Sequence, residues 1–197
     1  MNRVVLASTN PGKLGELEAL LAPFGMDVVP QSHFDIPSAD ETGASFVENA
    51  IIKARHAARL SGLPAIADDS GLMVDALDGA PGVRSARYAG AAAGDDENLA
   101  LLLENMRDVA DERRSARFVC LMVYMRQPLD ACPLVAEGVW RGRISRAPRG
   151  AGGFGYDPVF FVEERGCTSA ELEAGDKNRI SHRALAMQAL HARLAQS

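Results

Sequence analysis

Two adjacent carboxylates, Asp68 and Asp69, follow a short apolar segment and precede a Ser-Gly pair. In an extended chain, neighbouring side chains point to opposite faces, so one carboxylate can face a site while the other faces the scaffold. Carboxylate, hydroxyl and glycine together at the end of a strand suit a divalent cation and a phosphorylated ligand. An acidic turn is the alternative, because Asp, Ser and Gly also favour turns.

A second candidate site is the segment Ser8–Lys13, which reads Ser-Thr-Asn-Pro-Gly-Lys. Its polar side chains and the free N–H groups at the start of the following helix favour an anion. Lys13 in the first helical turn opposes the helix macrodipole by about 0.3–1 kcal/mol, and a bound phosphate would reverse that sign. The spacing is not that of a P-loop. An ordinary capped turn with an exposed lysine is the alternative.

Three further segments carry groups that could bind a nucleotide. Gly150–Pro158 places four glycines around two aromatic residues, which allows close backbone approach and stacking on a base, although a flexible connection has the same composition. Lys177–Arg183 puts cations at the start of the last helix, where Ser181 is a suitable N-cap, unless it is a solvated basic face. Glu41 is a loop carboxylate that could join Asp69 around Mg²⁺, which prefers one or two carboxylates plus phosphate oxygens.

Composition excludes several classes of protein. The formal net charge of -5 argues against duplex DNA as the main partner, because backbone binding needs a basic surface. The three cysteines lack zinc-site spacing and are expected to be reduced thiols. We expect a cytoplasmic protein with no membrane partner, because the chain has no signal-peptide core at its start and no apolar run of bilayer length.

The elements that position these residues alternate between strand and helix. This alternation, without repeats or low-complexity segments, predicts a single α/β domain over residues 1–197, with a mixed sheet that any two lobes would share. The predicted strands span 3–7, 26–29, 65–67, 116–125, 134–144 and 158–162, and the predicted helices span 13–21, 45–60, 95–106 and 181–195.

Taken together, these segments resemble the inosine/xanthosine triphosphate pyrophosphatase family. The matching segments occur in the family's order over nearly the whole chain, and the full set is far more specific than any one of them. They are Ser8–Lys13, Glu41–Gly43, Phe46–Ala50, Ala67–Gly71, Gly79–Val83, Ser85–Tyr88, Gly152–Pro158 and Ile180–Arg183.

The resemblance implies an α/β fold with an elongated mixed β-sheet flanked by helices and two lobes with an active-site cleft between them. It also implies a homodimer that hydrolyses the non-standard purine nucleotides ITP, dITP and XTP to the monophosphate and pyrophosphate, with Mg²⁺ as cofactor and without nucleic acid as a partner. Asp69 would be the catalytic acid/base, Glu41 and Asp69 would hold the metal, and Asp68 would support the site from the opposite face of its strand. The implied substrate-binding residues are Ser8, Thr9, Asn10, Pro11, Gly12, Lys13, Ser70, Phe154, Gly155, Tyr156, Asp157, Lys177, His182 and Arg183.

Two other functions remain compatible with these residues. A pyrophosphatase for modified pyrimidine or methylated nucleotides would use similar metal and phosphate groups with a different base preference. A non-catalytic nucleotide-binding regulator would keep the basic segments but would need no acid/base residue, and the run Asp68-Asp69-Ser70 argues against it.

Overall fold

The computed structural model describes residues 3–196. Its strands are β1 (Arg3–Leu6), β2 (Asp27–Pro30), β3 (Ala65–Val74), β4 (Ser115–Met125), β5 (Leu134–Ile144), β6 (Phe160–Val162) and β7 (Cys167–Thr168). Its helices are α1 (Pro11–Leu21), α2 (Phe46–Ser61), α3 (Asp95–Asn105), α4 (Ala174–Ile180) and α5 (His182–Leu194). Over these residues, no helix is long and apolar enough to cross a membrane.

The strands form one mixed sheet in the order β2-β1-β3-β4-β5-β6-β7, flanked by the helices. Strand β1 pairs in parallel with both β2 and β3, and helix α1 makes the crossover that parallel β1 and β2 require. Strand β6 pairs antiparallel with β5 and with β7. The predicted α/β fold with a mixed sheet is therefore confirmed.

The chain divides into two compact units. Among the described residues, unit A comprises 3–70, 120–138 and 182–196, and unit B comprises 71–119 and 139–181. Strands β3, β4 and β5 each contribute residues to both units. That residues 1–197 form a single domain stays a prediction.

Unit A has two apolar clusters, because alternate residues of its strands face opposite sides. Ile66 belongs to a cluster with Leu17 of α1 and Leu190 of α5. Its neighbours Ala65 and Ala67 belong to a second cluster, in which the buried small side chains of α2 pack closely against the sheet: Ala50, Ala54, Ala57 and Ala58. Small residues on both surfaces let α2 lie close to β3.

Unit B is built around large aromatic side chains. The ring of Phe160 in β6 lies 4.6 Å from that of Phe118 and 5.1 Å from that of Trp140, measured between centroids. Leu102 and Met106 cover the same cluster and are fully buried. Aromatic pairs at this separation add to the stabilisation from buried area.

Several predicted boundaries were wrong. Strand β3 continues through Asp68, Asp69 and Ser70 to Val74 rather than ending at residue 67, because pairing with neighbouring strands outweighs the turn preference of these residues. The strand predicted over 158–162 begins only at Phe160, after a short 3₁₀ turn. Helix α4 and strand β7 were not predicted, since both are too short to show a periodic pattern.

Candidate active site

Asp68 and Asp69 lie in the middle of β3, just beyond the point where β1 ends. The parallel pairing of the two strands finishes with Leu6 opposite Ile66. The backbone N–H of Ala7 still donates to the carbonyl of Ile66, at 2.8 Å, before the chain turns into the loop that precedes α1. The two carboxylates therefore lie beside that loop, where the paired strand no longer covers them.

The side chains of the two aspartates point to opposite faces of the sheet, as predicted. Asp68 shares the face of Ile66 and contacts Lys13 of α1 and Arg183 of α5. Asp69 shares the face of Ala67 and contacts α2. Each carboxylate thus has its own set of partners within unit A.

The loop between β1 and α1 is fixed by hydrogen bonds of its polar side chains. Asn10 is the N-cap of α1, and its side-chain oxygen accepts from the Lys13 backbone N–H at 3.0 Å. Ser8 accepts from the backbone N–H of Asn10 at 3.3 Å, and the hydroxyls of Thr9 and Ser38 lie 3.1 Å apart. Pro11 is in the first turn, where a missing N–H leaves no helix bond unmade. The arrangement presents hydroxyls and backbone N–H groups at a helix start, which suits an anion.

Asp68 is surrounded by cations. Its Oδ2 lies 3.3 Å from Nζ of Lys13 and 3.4 Å from Nε of Arg183, and it accepts from the hydroxyl of Ser70 at 3.1 Å. Burial by itself would raise the pKa of Asp68, but Lys13, Arg183 and Lys53 together hold that pKa well below its ordinary value. The neighbouring cations therefore favour the charged form of Asp68.

The cations at the starts of α1 and α5 have carboxylate partners in the structure. Arg183 is buried, and its Nη1 donates to Glu16 at 2.7 Å while its Nη2 donates to the Ser70 hydroxyl at 3.0 Å. His182 precedes it in the first turn of α5 and is also buried. Helix α5 begins directly after Ser181, whose extended backbone is that of an N-cap residue. The unfavourable position of these charges at a helix start is offset by Glu16 and Asp68.

Asp69 is bound by two side chains of α2. Nζ of Lys53 donates to its Oδ1 at 2.9 Å, and the Asn49 amide donates to its Oδ2 at 3.3 Å. The same Lys53 ammonium lies 3.0 Å from a carboxylate oxygen of Glu41, so it joins the two predicted metal ligands. Burial raises the pKa of Asp69 above its ordinary value, although Lys53 and Lys13 act in the opposite direction. A buried carboxylate with a raised pKa is suited to accept a proton.

Helix α2 places these two side chains through its cap and its spacing. Ser45 and Glu48 form the predicted capping box: Ser45 accepts from the Glu48 N–H at 3.4 Å, and Glu48 accepts from the Ser45 N–H at 2.8 Å. Asn49 and Lys53 are four residues apart and therefore share one side of the helix. Asn49 also accepts from the backbone N–H of Gly43 at 2.8 Å, which ties the loop carrying Glu41 to the helix.

Sequence reasoning missed Lys53 and the role of Asn49. The sequence offered one indication of them: both lie next to the buried alanines of α2, where a polar side chain needs a specific partner. Lys53 has no neighbour in sequence that points to chemistry, so its partners Glu41 and Asp69 become evident only when the helix is packed on β3.

The loop between β1 and α1 lines one cavity of unit A, of about 90 Å³, together with Glu41 and Lys53. The polar residues that line it combine the helix start with the acidic pair's partners: Ser8, Thr9, Asn10, Lys13, Gln31, Ser38, Glu41 and Lys53. A single ligand in this cavity can therefore contact both the helix N-terminus and the charged groups around Asp69.

The donor atoms beside Lys53 fit a hard divalent cation. Glu41 and Asp69 supply carboxylate oxygens around one positive charge. On the opposite face of β3, Oδ1 of Asp68 is buried without a hydrogen-bond partner among residues 3–196. Over the same residues, no three His, Cys, Asp or Glu side chains are grouped as a metal site. Mg²⁺ commonly binds in this way, with one or two carboxylates and with substrate phosphates and water in the remaining positions.

Unit B carries a second group of the predicted residues. Nζ of Lys177 donates to Asp157 at 2.6 Å and lies 5.3 Å from the centre of the Phe154 ring, within cation–π range. Asp157 also accepts from the Ser169 hydroxyl at 2.8 Å and from the backbone N–H of Phe154 at 2.9 Å. Lys177, which was predicted to belong to the segment before the last helix, lies in α4.

The other residues of this segment are held by contacts within unit B. Tyr156 is buried, and its hydroxyl donates to the carbonyl of Ser85 at 2.8 Å. The backbone N–H of Gly155 donates to Asp95 at 2.8 Å. Gly153 has a positive φ, and a side chain there would meet the Asp157 carboxylate. Of the two aromatic rings in this segment, Phe154 is the more exposed and the one better placed to stack on a ligand.

Comparison with known proteins gives a consistent result. The model of the Ham1 family matches residues 4–193. A protein of Shigella flexneri named dITP/XTP pyrophosphatase is 57% identical over 190 residues, which cover 96% of this chain and 96% of the relative.

Solved structures agree with the sequence match. The structure of a HAM1 protein from Coxiella burnetii superposes with a TM-score of 0.92 at 49% identity and covers 100% of both chains. A Mycobacterium abscessus structure described as nucleoside-triphosphatase / dITP/XTP pyrophosphatase gives a TM-score of 0.75 at 45% identity and covers 98% of both chains. The resemblance inferred from the sequence motifs is thereby confirmed, and the chain belongs to the Ham1 family.

Proposed function

We propose that this protein is a nucleoside triphosphate pyrophosphatase that hydrolyses the non-standard purine nucleotides dITP, XTP and ITP to the monophosphate and pyrophosphate. Relatives that match over nearly their whole length are named dITP/XTP pyrophosphatase. The observation that carries the proposal is the pairing of Asp69 with Lys53, in contact with Glu41 and beside an anion-binding helix start. A binding module would have no need of a buried, charge-paired acid at that position.

The triphosphate would bind at the loop between β1 and α1. The hydroxyls of Ser8 and Thr9, the Asn10 amide and the backbone N–H of Gly12 at the helix start would meet its oxygens. Lys13 would exchange part of its contact with Asp68 for a phosphate oxygen, since this residue also lines the cavity. From the α5 side, the Arg183 guanidinium would neutralise charge on the triphosphate and the Ser70 hydroxyl would help to orient it.

Asp69 would act as the general base. It would accept a proton from a water molecule whose oxygen attacks the α-phosphorus, while the bond from that phosphorus to the bridging oxygen breaks and pyrophosphate leaves. The monophosphate would keep the oxygen of the attacking water. Lys53 would fix the orientation of Asp69 through the 2.9 Å contact and balance its charge until the proton arrives.

Glu41 and Asp69 would hold Mg²⁺, which when bound supplies charge neutralisation at the phosphate oxygens. The proposal includes this cofactor because the oxygen donors of unit A fit it, as described above. The homodimer and the cytoplasmic location implied by the family resemblance belong to the same proposal and stay predictions.

Unit B by itself carries groups suited to a purine base. The Phe154 ring offers a stacking surface, and the Lys177 ammonium lies at 5.3 Å from the centre of that ring, where it could donate to a 6-oxo group. The 6-amino group of adenine would instead face a donor, and an unpaired buried polar group costs about 1–3 kcal/mol, roughly ten- to a hundredfold in selectivity.

Pyrophosphate release from a panel of nucleotides tests this function. The wild-type protein with MgCl₂ should hydrolyse dITP, ITP and XTP with a kcat/KM at least about tenfold above that for ATP, whose 6-amino group would face a donor. A preference for modified pyrimidine or methylated nucleotides would replace the proposal with the related alternative. Absence of pyrophosphate with every nucleotide would favour a regulator that only binds.

Hydrolysis in ¹⁸O-labelled water locates the attacked phosphorus. Label in the monophosphate is expected, because the water oxygen joins the α-phosphorus. Label found only in pyrophosphate would place the attack at the β-phosphorus and contradict the proposed step.

A further inference from the structure

Gly138 lies in β5 where that strand meets the first turns of α5. A Cβ atom built on Gly138 would lie 2.0 Å from the carbonyl oxygen of His182 and 2.4 Å from the backbone nitrogen of Ala186. Both are backbone atoms, so no change of rotamer can relieve the contact. Glycine inside a strand often marks a place where another backbone approaches closely.

The first turn of α5 carries Arg183, whose guanidinium contacts three residues on two other elements. It meets Glu16 of α1, and it meets Asp68 and Ser70 of β3, through three different nitrogens. The Nε contact with Asp68 is already long, at 3.4 Å. A displacement of α5 away from β5 would therefore weaken this contact first.

Arg183 is buried, so its side chain has little room to follow a moved helix by changing rotamer. A shift of the α5 backbone by about 1 Å would be transmitted to the guanidinium, and misplacement of this size can reduce catalysis about a hundredfold. The distance between α5 and β5 is therefore limited by the missing side chain of Gly138, and this distance determines where the Arg183 guanidinium lies.

We propose that Gly138 is a positioning residue of the active site: its missing side chain seats α5 directly on β5 and so holds Arg183 against Asp68 and Ser70. This inference rests on the proposed function, because it assigns Gly138 an effect on the same reaction.

The variant Gly138→Ala tests the proposal, with Gly142→Ala as the matched control on the same strand. A Cβ at Gly142 would also meet backbone, at 2.5 Å from the carbonyl oxygen of Phe161, but it presses on β6 in unit B. Both variants should lower the midpoint of thermal unfolding. Only Gly138→Ala should lower kcat/KM for dITP, by about 10- to 100-fold.

Combination with Arg183→Ala separates positioning from a general loss of stability. If Gly138 acts through Arg183, then Gly138→Ala should change kcat/KM by less than about threefold when Arg183 is already alanine. Losses that multiply in the double variant, or equal losses in Gly138→Ala and Gly142→Ala, would overturn the proposal.

A milder variant covers the case in which Gly138→Ala does not fold. Leu185→Ile adds a branch at the Cβ atom that lies 3.0 Å from the ideal Cβ position of Gly138, so it presses on the same interface from the helix. It should lower kcat/KM by about three- to tenfold, and unchanged kinetics would contradict the inference. Inactivity of the wild-type protein with every nucleotide would instead refute the proposed function, and it would be seen before any variant is compared.

Discussion

Lys53 joins the two acidic residues on which the proposed chemistry depends. Its ammonium contacts Asp69 at 2.9 Å and Glu41 at 3.0 Å, although the two carboxylates come from different segments of the chain. The charges of Asp68, Asp69 and Glu41 raise the pKa of Lys53 even though burial acts against them. Lys53 is therefore a fixed cation that orients a carboxylate, rather than a proton donor near neutral pH.

Replacing Lys53 by Met keeps the length of the side chain and removes its charge. The variant should lose about 100-fold or more in kcat for dITP, because removal of one preorganised charged or hydrogen-bonding group at a reacting centre costs about 10²–10³ in rate. Steady-state pyrophosphate release measures the effect.

Arg59→Met is the matched control for Lys53→Met. Arg59 is an exposed cation on the same helix, so its loss should change kcat by less than about twofold. An active Lys53→Met enzyme, or equal losses in the two variants, would show that Lys53 does not orient Asp69.

Individual charged residues could be selected from the sequence, but their partners could not. The motifs singled out Asp69, Lys13 and Arg183 because each stands at a strand or helix position where its charge is out of place without a ligand or partner, and their roles stay predictions. The ion pairs of Lys13 and Arg183 with Asp68 could not be read from the sequence, since they join residues 55 and 115 positions apart, as the chain numbering shows.

Helix α2 connects the loop that carries Glu41 to strand β3. Asn49 is fully buried, and it bonds both Gly43 of the loop and Asp69 of the strand. The buried alanines next to it allow the close packing that brings these bonds within reach. The helix thus determines where Glu41 and Asp69 lie relative to each other.

Asn49→Ala should therefore lower the free energy of unfolding and also loosen the position of Asp69. It leaves the Gly43 N–H and one oxygen of Asp69 without their partner, and a buried group left unsatisfied costs about 1–3 kcal/mol. The free energy of unfolding in urea measures this loss.

Asn105→Ala provides the comparison for Asn49→Ala. Asn105 is exposed and donates to the hydroxyl of Tyr88 at 2.8 Å, so its replacement should cost no more than about 0.5 kcal/mol. A loss at Asn49 no larger than that at Asn105 would contradict the role given to α2.

Element boundaries followed from the sequence where local signals decide them. The capping box of Ser45 and Glu48 correctly predicted the start of α2, and the alternating segment Leu134–Ile144 was predicted with its observed bounds. Strand β3 was predicted too short because Asp, Ser and Gly favour turns, and only pairing with distant strands reverses that preference. Local propensity cannot report such pairing.

At the scale of the whole molecule, each unit carries a chemically distinct part of the predicted site. Unit A holds the loop between β1 and α1, the carboxylates and their cations, whereas unit B holds Phe154, Lys177 and Asp157. Family membership could be predicted from the order of the motifs along the chain, since that order is a property of the sequence. The partners of each side chain could not, because they depend on how β3, α2 and α5 pack.

The most direct test of the proposed chemistry is the turnover of dITP by Asp69→Asn. The amide keeps the size of the carboxylate but cannot accept the proton, and general base catalysis contributes about 10²–10⁴ in rate. With thermal unfolding close to that of the wild type, kcat for pyrophosphate release should fall at least about 100-fold. Turnover within a few fold of the wild type would contradict the assignment of Asp69 as the base.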